Sequence, residues 1–242
     1  MKQSCLSCPS WVIPGTYGEN LAFLETQGAI QNIELLFFIY DGSVKLELER
    51  DLNTIIRCRD RFTYTAHLPD RLNRDHEQLI TILSPLVDHF VFHPVQPEEE
   101  MQVDELAHLI KGWQESYGDR FLAENTKPLW LEALEERLPD IPICMDTGHL
   151  GQTDAILDFW QSRKGRIREI HLHSTDEKAA RLDGRLPDHR PLRGDEAWLE
   201  PLVTASAAEP NPPLINLELF SWQEVEQSLN VIQRTLNYIS IK

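Results

Sequence analysis

Histidine and carboxylate residues recur in this chain at one kind of place, the end of an apolar run. His67 closes "TAHLP", His93 "VFHP" and Glu124 "LAEN"; Asp146 and His149 end "ICMDTGH", His171 and His173 lie in "IHLH", and Glu218 lies in "LELF". With 39 acids and 9 histidines in 242 residues, about one position in five carries such a type, so six successive runs ending this way are far more than chance supplies. Neutral imidazole and carboxylate are ligands of Zn²⁺, Mn²⁺ or Fe²⁺, and no cysteine stands among these positions. Carboxylates gathered without Lys or Arg repel one another unless cations neutralise them, and a buried unpaired charge is costly. The chemistry expected is that of a divalent-metal centre with nitrogen and oxygen ligands.

Each residue also has a plainer reading. His67 before Leu-Pro could cap a strand, and His93 before Pro could bond a loop. Glu124 and Glu218 are harder to set aside, because an acid inside an apolar run needs a partner once buried. His173 is expected to face a substrate or to back a ligand. His76, His89 and His108 read as structural or solvated. Further on, "PDHRPLRGD" (187–195) offers Asp188 and His189 as another ligand pair. Arg185, Arg190 and Arg193 cluster there, a guanidinium set suited to a phosphate or phosphodiester; the alternative is a solvated, charged loop.

The elements that must position these groups alternate. Strand-like runs fall at 10–13, 33–40, 61–67, 89–93, 120–124, 141–146, 167–173 and 214–219, with stretches of helical period between them, such as "VDELAHLIKGWQESY". Asp104 and Ser221 are read as helix N-caps, the latter with Glu224 at capping-box spacing, while Gly118 and Gly165 stand where two helices should stop. Eight such units in 242 residues fit a compact α/β fold, a single (β/α)₈ TIM barrel over 1–242, whose strand ends converge on one face. A doubly wound sheet is the competitor, and "IPGTYGEN" lacks its G-x-G-x-x-G turn.

Composition narrows the class. Hydrophobic residues are 41% and charged ones 26%, ordinary globular values, and no apolar run approaches a membrane span or a signal peptide. A cytoplasmic protein without a membrane partner is expected. The formal charge of −16 disfavours nucleic acid, which is gripped by neutralising phosphates. Cys5 and Cys8 form a lone C-x-x-C and read as small residues in or near a first strand. Oligomeric state stays open.

The order of motifs, from "IELLFF" through "TAHLP", "VFHP", "LAEN", "MDTGH", "IHLH", "DHRPLRG" and "LELF", resembles the xylose-isomerase-like TIM-barrel superfamily, which includes endonuclease IV and sugar isomerases and epimerases. The resemblance implies one to three divalent ions, with metal ligands at His67, His93, Glu124, Asp146, His149, His171, His189 and Glu218, the set of the trinuclear members. Single-metal isomerases keep mainly the positions of Glu124, Asp146, His171 and Glu218. Pro187 stands where the family often has an acid two residues before His189, and the acid here is Asp188. The opening "PSWVIPGTYGENLAFL" is similar to the cobamide-remodelling phosphodiesterase branch.

Retention of both His67 and His93 points to a multi-metal phosphodiester hydrolase acting on a small, phosphorylated molecule, with Glu124 and Glu218 as the catalytic carboxylates. The rival is a sugar or sugar-phosphate isomerase or epimerase, in which Glu124 and Glu218 would shuttle a proton. A barrel that binds without turnover is the third reading.

Overall fold

In the computed structural model, which describes residues 5–96, 101–175 and 188–241, eight parallel strands close into a barrel in sequence order. They are β1 (Leu6–Pro9), β2 (Asn32–Leu36), β3 (Thr63–His67), β4 (Phe90–Phe92), β5 (Phe121–Glu124), β6 (Ile143–Asp146), β7 (Ile167–His171) and β8 (Leu214–Asn216). Outside run α1 (Tyr17–Gln27), α2 (Gly42–Arg57), α3 (Glu77–Leu83), α4 (Val103–Tyr117), α5 (Pro128–Arg137), the single turn α6 (Thr147–Leu150), α7 (Thr153–Arg163), α8 (Leu199–Ala207) and α9 (Trp222–Ile241). The expected barrel is present. No helix among the described residues is long and apolar enough to cross a membrane.

Side chains alternate across each strand, so the two faces of the sheet have different jobs. Outward-facing residues such as Ile33, Leu35, Phe90, Phe92, Phe121, Ala123, Ile143 and Met145 join the helices in the main apolar core. Inside the barrel the apolar cluster shrinks to Val91, Leu122 and Cys144. The remaining interior is polar: Ser7, Glu34, Thr65, His67, Glu124, Asp146, Glu169, His171 and Asn216 are all buried. Register keeps them level, with Asp146 beside His171, His171 beside Asn216, and Glu34 beside Thr65.

Strand positions differ from expectation most at the start. β1 is Leu6–Pro9, four residues before the expected 10–13. "Trp-Val-Ile" has strand-forming types, but Trp11 is 57% exposed, and Asn20 Oδ1 takes the N–H groups of Val12 and Ile13 away from any ladder. Small Ser7 and Cys8 instead fit the crowded sheet, Cys8 being buried and Cys5 partly so. β2 ends at Leu36 rather than 40, so Phe38, Ile39 and Tyr40 belong to the loop above it.

Most helix punctuation is as the residues predict. Gly118 C-caps α4 at φ 92°, and the Glu224 N–H donates to Ser221 Oγ before α9. The N-cap of α4 is Gln102, which exchanges bonds with Glu105, and Asp104 lies inside the first turn. Lys164 C-caps α7, with Gly165 one residue beyond.

Candidate metal centre

Glu124, the last residue of β5, stands at the middle of the C-terminal face. Its Oε2 lies 3.2 Å from His67 Nε2 and 3.4 Å from His93 Nε2, and its Oε1 lies 3.2 Å from His149 Nδ1. His67 ends β3 and His93 follows β4 by one residue, so two adjacent strands deliver imidazoles to one carboxylate oxygen. Asp70 Oδ1 meets the far nitrogen of His93 at 3.2 Å.

Asp146 ends β6 and caps the single turn α6: its Oδ1 accepts the His149 N–H at 2.9 Å, and its Oδ2 faces His149 Nδ1 at 3.7 Å. The Thr147-Gly148 turn thus folds His149 back toward the carboxylates. Asn125 clamps the Asp146 backbone from β5, its Nδ2 donating to the Asp146 carbonyl at 2.9 Å and its Oδ1 accepting the Asp146 N–H at 2.7 Å.

His171 ends β7 and is fully buried. Its Nδ1 faces Glu218 Oε2 at 3.2 Å and Glu124 Oε2 at 3.6 Å, while its Nε2 lies 3.1 Å from Glu34 Oε1. Glu218, two residues past β8, also faces His173 Nε2 and His189 Nδ1, each at 3.6 Å. His189 is the one non-glycine residue with positive φ (51°) among the described residues, a conformation that costs energy and gathers at functional sites.

The groups expected from the sequence therefore converge. His67, Asp70 and His93 form one potential ligand set, Glu124, Asp146 and His149 a second, Glu34, His171 and Glu218 a third, and His173, His189 and Glu218 a fourth. Asp188 adjoins His189 in sequence, outside these sets. Arg185 lies outside the described residues. Arg190 is exposed, with its backbone paired to Ser174, and Arg193 turns to Asp195 and the Thr175 carbonyl. His173 is buried; its Nε2 meets Asp146 Oδ2 at 3.2 Å and its Nδ1 accepts the His189 N–H at 3.0 Å, contacts that would let it brace Asp146.

Sequence reading passed over Glu34, Asp70, Asn125, Cys144, Glu169 and Asn216. Glu34 carries the same signal as Glu124, an acid in an apolar run, but that run continues four residues past the end of β2, so Glu34 does not stand at its end. Contrary to the expectation of a cysteine-free cluster, Cys144 lies among the potential ligand atoms beside Glu124 and His171. Burial pushes its thiol well up, so it stays protonated, and thiolate is the ligand form.

Electrostatics test whether these residues fit a cation. Burial pushes Glu124 up, but the His93 charge and the bonds from His149, His67 and His93 outweigh it and hold the carboxyl well below the usual range. Asp146 and Glu218 are likewise raised by burial and lowered further, by His149 and His173 in one case and His171 and His189 in the other. Three buried carboxylates remain ionised. His67 Nδ1 donates to the Leu68 carbonyl at 2.8 Å, which leaves Nε2 with a lone pair aimed at the Glu124 oxygen when the ring is neutral. His149 Nδ1, His171 Nδ1 and Glu218 Oε2 are buried, and each meets only the ionic partners of the cluster, at 3.2 Å or more. Carboxylates and imidazole nitrogens that face shared space fit divalent cations, which take the place of the imidazolium protons.

No protein-family model and no curated sequence matches the chain. Among solved structures, a xylose isomerase domain containing protein from Salmonella typhimurium LT2 aligns with a TM-score of 0.64 at 16% identity, covering 100% of this chain and 98% of that one. The fold is a closed (β/α)₈ TIM barrel, which that protein shares. An aldo/keto reductase from Brucella melitensis aligns less closely, with a TM-score of 0.53 at 13% identity over 96% of this chain and 89% of that one. A second structure at TM-score 0.53, a Gox0644 mutant in complex with NADPH, is 14% identical and covers 94% of this chain and 83% of that one.

Proposed function

We propose that the protein is a divalent-metal-dependent phosphodiester hydrolase acting on a small molecule. The observation that carries this reading is the treatment of Glu124: imidazoles His67 and His93 meet one of its oxygens and His149 the other, so each oxygen has its own set of nitrogen donors that would serve a cation. In a single-ion site His67 and His93 would do no more than brace Glu124.

Bound divalent ions would supply Lewis acidity at the phosphoryl oxygens and lower the pKa of water near them. His67, His93 and Glu124 would hold one ion; Glu124, Asp146, His149, His171 and Glu218 would provide for a second, and His189 beside Glu218 would offer a nitrogen to a third. Glu218, ionised and at the mouth of the barrel, accepts the proton of the attacking water and orients its lone pair. His173 and Asn125 keep Asp146 in place. The barrel wall excludes bulk water from the floor of the site, which strengthens each of these interactions. A cobamide is the member of this substrate class to which the chain's opening residues point.

A second reading has its own observation: Glu124 and Glu218 both face His171 Nδ1, at 3.6 and 3.2 Å, as the two proton-shuttling carboxylates of a sugar isomerase or epimerase would. Elemental analysis of protein purified without added metal, paired with His93→Ala, separates the two. Two or three equivalents, with loss of about one equivalent and of phosphodiesterase turnover in His93→Ala, is the expected result. One equivalent, unchanged in the variant, together with deuterium uptake from heavy water into a ketose, would overturn the hydrolase reading.

A further inference from the structure

A hollow of about 330 Å³ opens beside the metal centre, between the loops that follow β1 and β2. Trp11, Tyr17, Leu36, Phe38, Ile39 and Val44 supply its apolar wall, with Asp41 and Glu47 at one side. Among the described residues no Lys or Arg lines it. The floor is fixed, since Tyr17 is buried and its hydroxyl donates to the Leu36 carbonyl at 2.7 Å.

Its relation to the centre is direct. The Phe38 ring stands edge-on to His67 with centroids 4.6 Å apart, and edge-on to Phe220 at 6.2 Å. Phe220 in turn lies 5.0 Å from His189. One aromatic wall therefore runs from the hollow to ligands on both sides of the centre.

Exposed apolar surface collects here. Trp11 (57%), Ile39 (68%) and Phe220 (39%) are half of the large hydrophobic residues exposed among those described. Water contact at such side chains is unfavourable, and a rimmed apolar patch beside a catalytic cluster marks a binding site. Hydrophobic walls with Asp41 and Glu47 repel an anion, so the phosphate itself belongs at the cations and its substituent belongs here.

We propose that the hollow walled by Trp11, Tyr17, Phe38 and Ile39 is a substrate subsite for a flat aromatic group, uncharged or cationic, carried on one ester arm of the phosphodiester. This rests on the hydrolase reading and adds the chemical class of the substituent. Edge and face contacts from Phe38, Tyr17 and Trp11 select a ring over a sugar or an alkyl chain of equal size.

Two measurements on the full chain test it. The first compares kcat/KM for bis(4-nitrophenyl) phosphate and methyl 4-nitrophenyl phosphate, which share a leaving group and differ in the other arm. The native protein should favour the diaryl ester, and Ile39→Asp should reduce that preference about ten- to hundred-fold, the range an apolar pocket commands. Leu129→Asp, a control at an exposed position on α5, should retain it.

The second measurement needs no turnover. Titration with the neutral fluorophore N-phenyl-1-naphthylamine should show one saturable site that Ile39→Asp abolishes and Leu129→Asp preserves. Binding of the fluorophore without phosphodiester hydrolysis would leave the subsite standing and remove the hydrolase reading. Absence of saturable binding, an unchanged ester preference in Ile39→Asp, or a native dimer that Ile39→Asp converts to monomer would overturn the subsite, the last by assigning the surface to a second copy of the chain.

Discussion

Glu34 Oε1 lies 3.1 Å from His171 Nε2 at the centre of the barrel, where neither side chain reaches solvent. The other Glu34 oxygen accepts the Asn216 Nδ2–H at 2.6 Å, so the carboxylate is fixed from across the barrel seam. A proton on His171 Nε2 is thereby directed to Glu34, so Nδ1, which faces Glu124 and Glu218, is the nitrogen that offers a lone pair once a cation takes the place of its proton. Such a carboxylate behind a ligating imidazole sets the tautomer and raises its basicity.

Glu34→Gln keeps the shape and removes the charge. Its expected effect is a fall of about 10- to 100-fold in metal affinity, read by competition with a chelator, with the metal-free fold intact by circular dichroism. Unaltered affinity would show that His171 is oriented by the barrel alone.

Metal uptake should compete with protons. Burial alone would lower the His93 imidazolium, but the Glu124 charge and the bonds with Asp70 and Glu124 carry it up to about 10. His149 is similarly lowered by burial and then raised, chiefly by Asp146 and Glu124, to about 9. Both must lose a proton to bind an ion, so apparent affinity should rise steadily from about pH 6 toward 9 and release protons to the buffer. In the metal-free protein the sign reverses. Both folded values lie above the ordinary 6.5, so the stability they contribute is fully present below about pH 6.5 and lost as pH rises through 9 to 10. Thermal melts with and without metal should therefore diverge as pH rises, and parallel curves would refute the competition.

The convergence of His67, Glu124, Asp146 and His171 was legible because each ends a strand of clear period, and a barrel brings strand ends together. What the sequence hid depends on boundaries and on the third dimension. Glu34 and Glu169 lie within strands, and their inward facing follows only once register is known. His173 follows β7 by two residues and looked free to meet a substrate, yet the one-turn helix α6 packs Gly148 over it. Thr147 fixes that contact, its hydroxyl donating to the His173 carbonyl at 2.8 Å and accepting the His173 N–H at 3.1 Å. Trp11 and Ile39 read as strand residues by type, and their exposure emerges only where the loops above β1 and β2 leave a hollow.

Gly148 owes its place to that packing. A Cβ built there would lie 2.0 Å from His173 Cε1 and 2.7 Å from Nδ1, and the ring cannot retreat because Asp146 and the His189 N–H hold it. Gly148→Ala should destabilise the protein by about 1–3 kcal/mol and weaken metal binding through Asp146. Gly42→Ala, where a Cβ meets nothing within 4 Å, is the matched control. Adding His173→Ala to Gly148→Ala should recover part of the lost stability. A double variant less stable than both singles would locate the strain elsewhere.

Glu169 lies beneath the centre, fully buried, with Thr65 Oγ1 3.3 Å from its Oε1. Burial first, then the Glu34 charge, push its carboxyl up to about 8 from the ordinary 4.5, so at neutral pH it is mainly the uncharged acid. Because the folded value exceeds the unfolded one, the associated stability is fully present below about pH 4.5 and lost as pH rises through 8. Glu169→Gln supplies a neutral group of the same shape that never ionises. In the metal-free protein it should match the native melting temperature near pH 5 and exceed it at about pH 9, flattening the alkaline decline. Were the two melting curves to shift together across that range, Glu169 would be ionised in the folded chain.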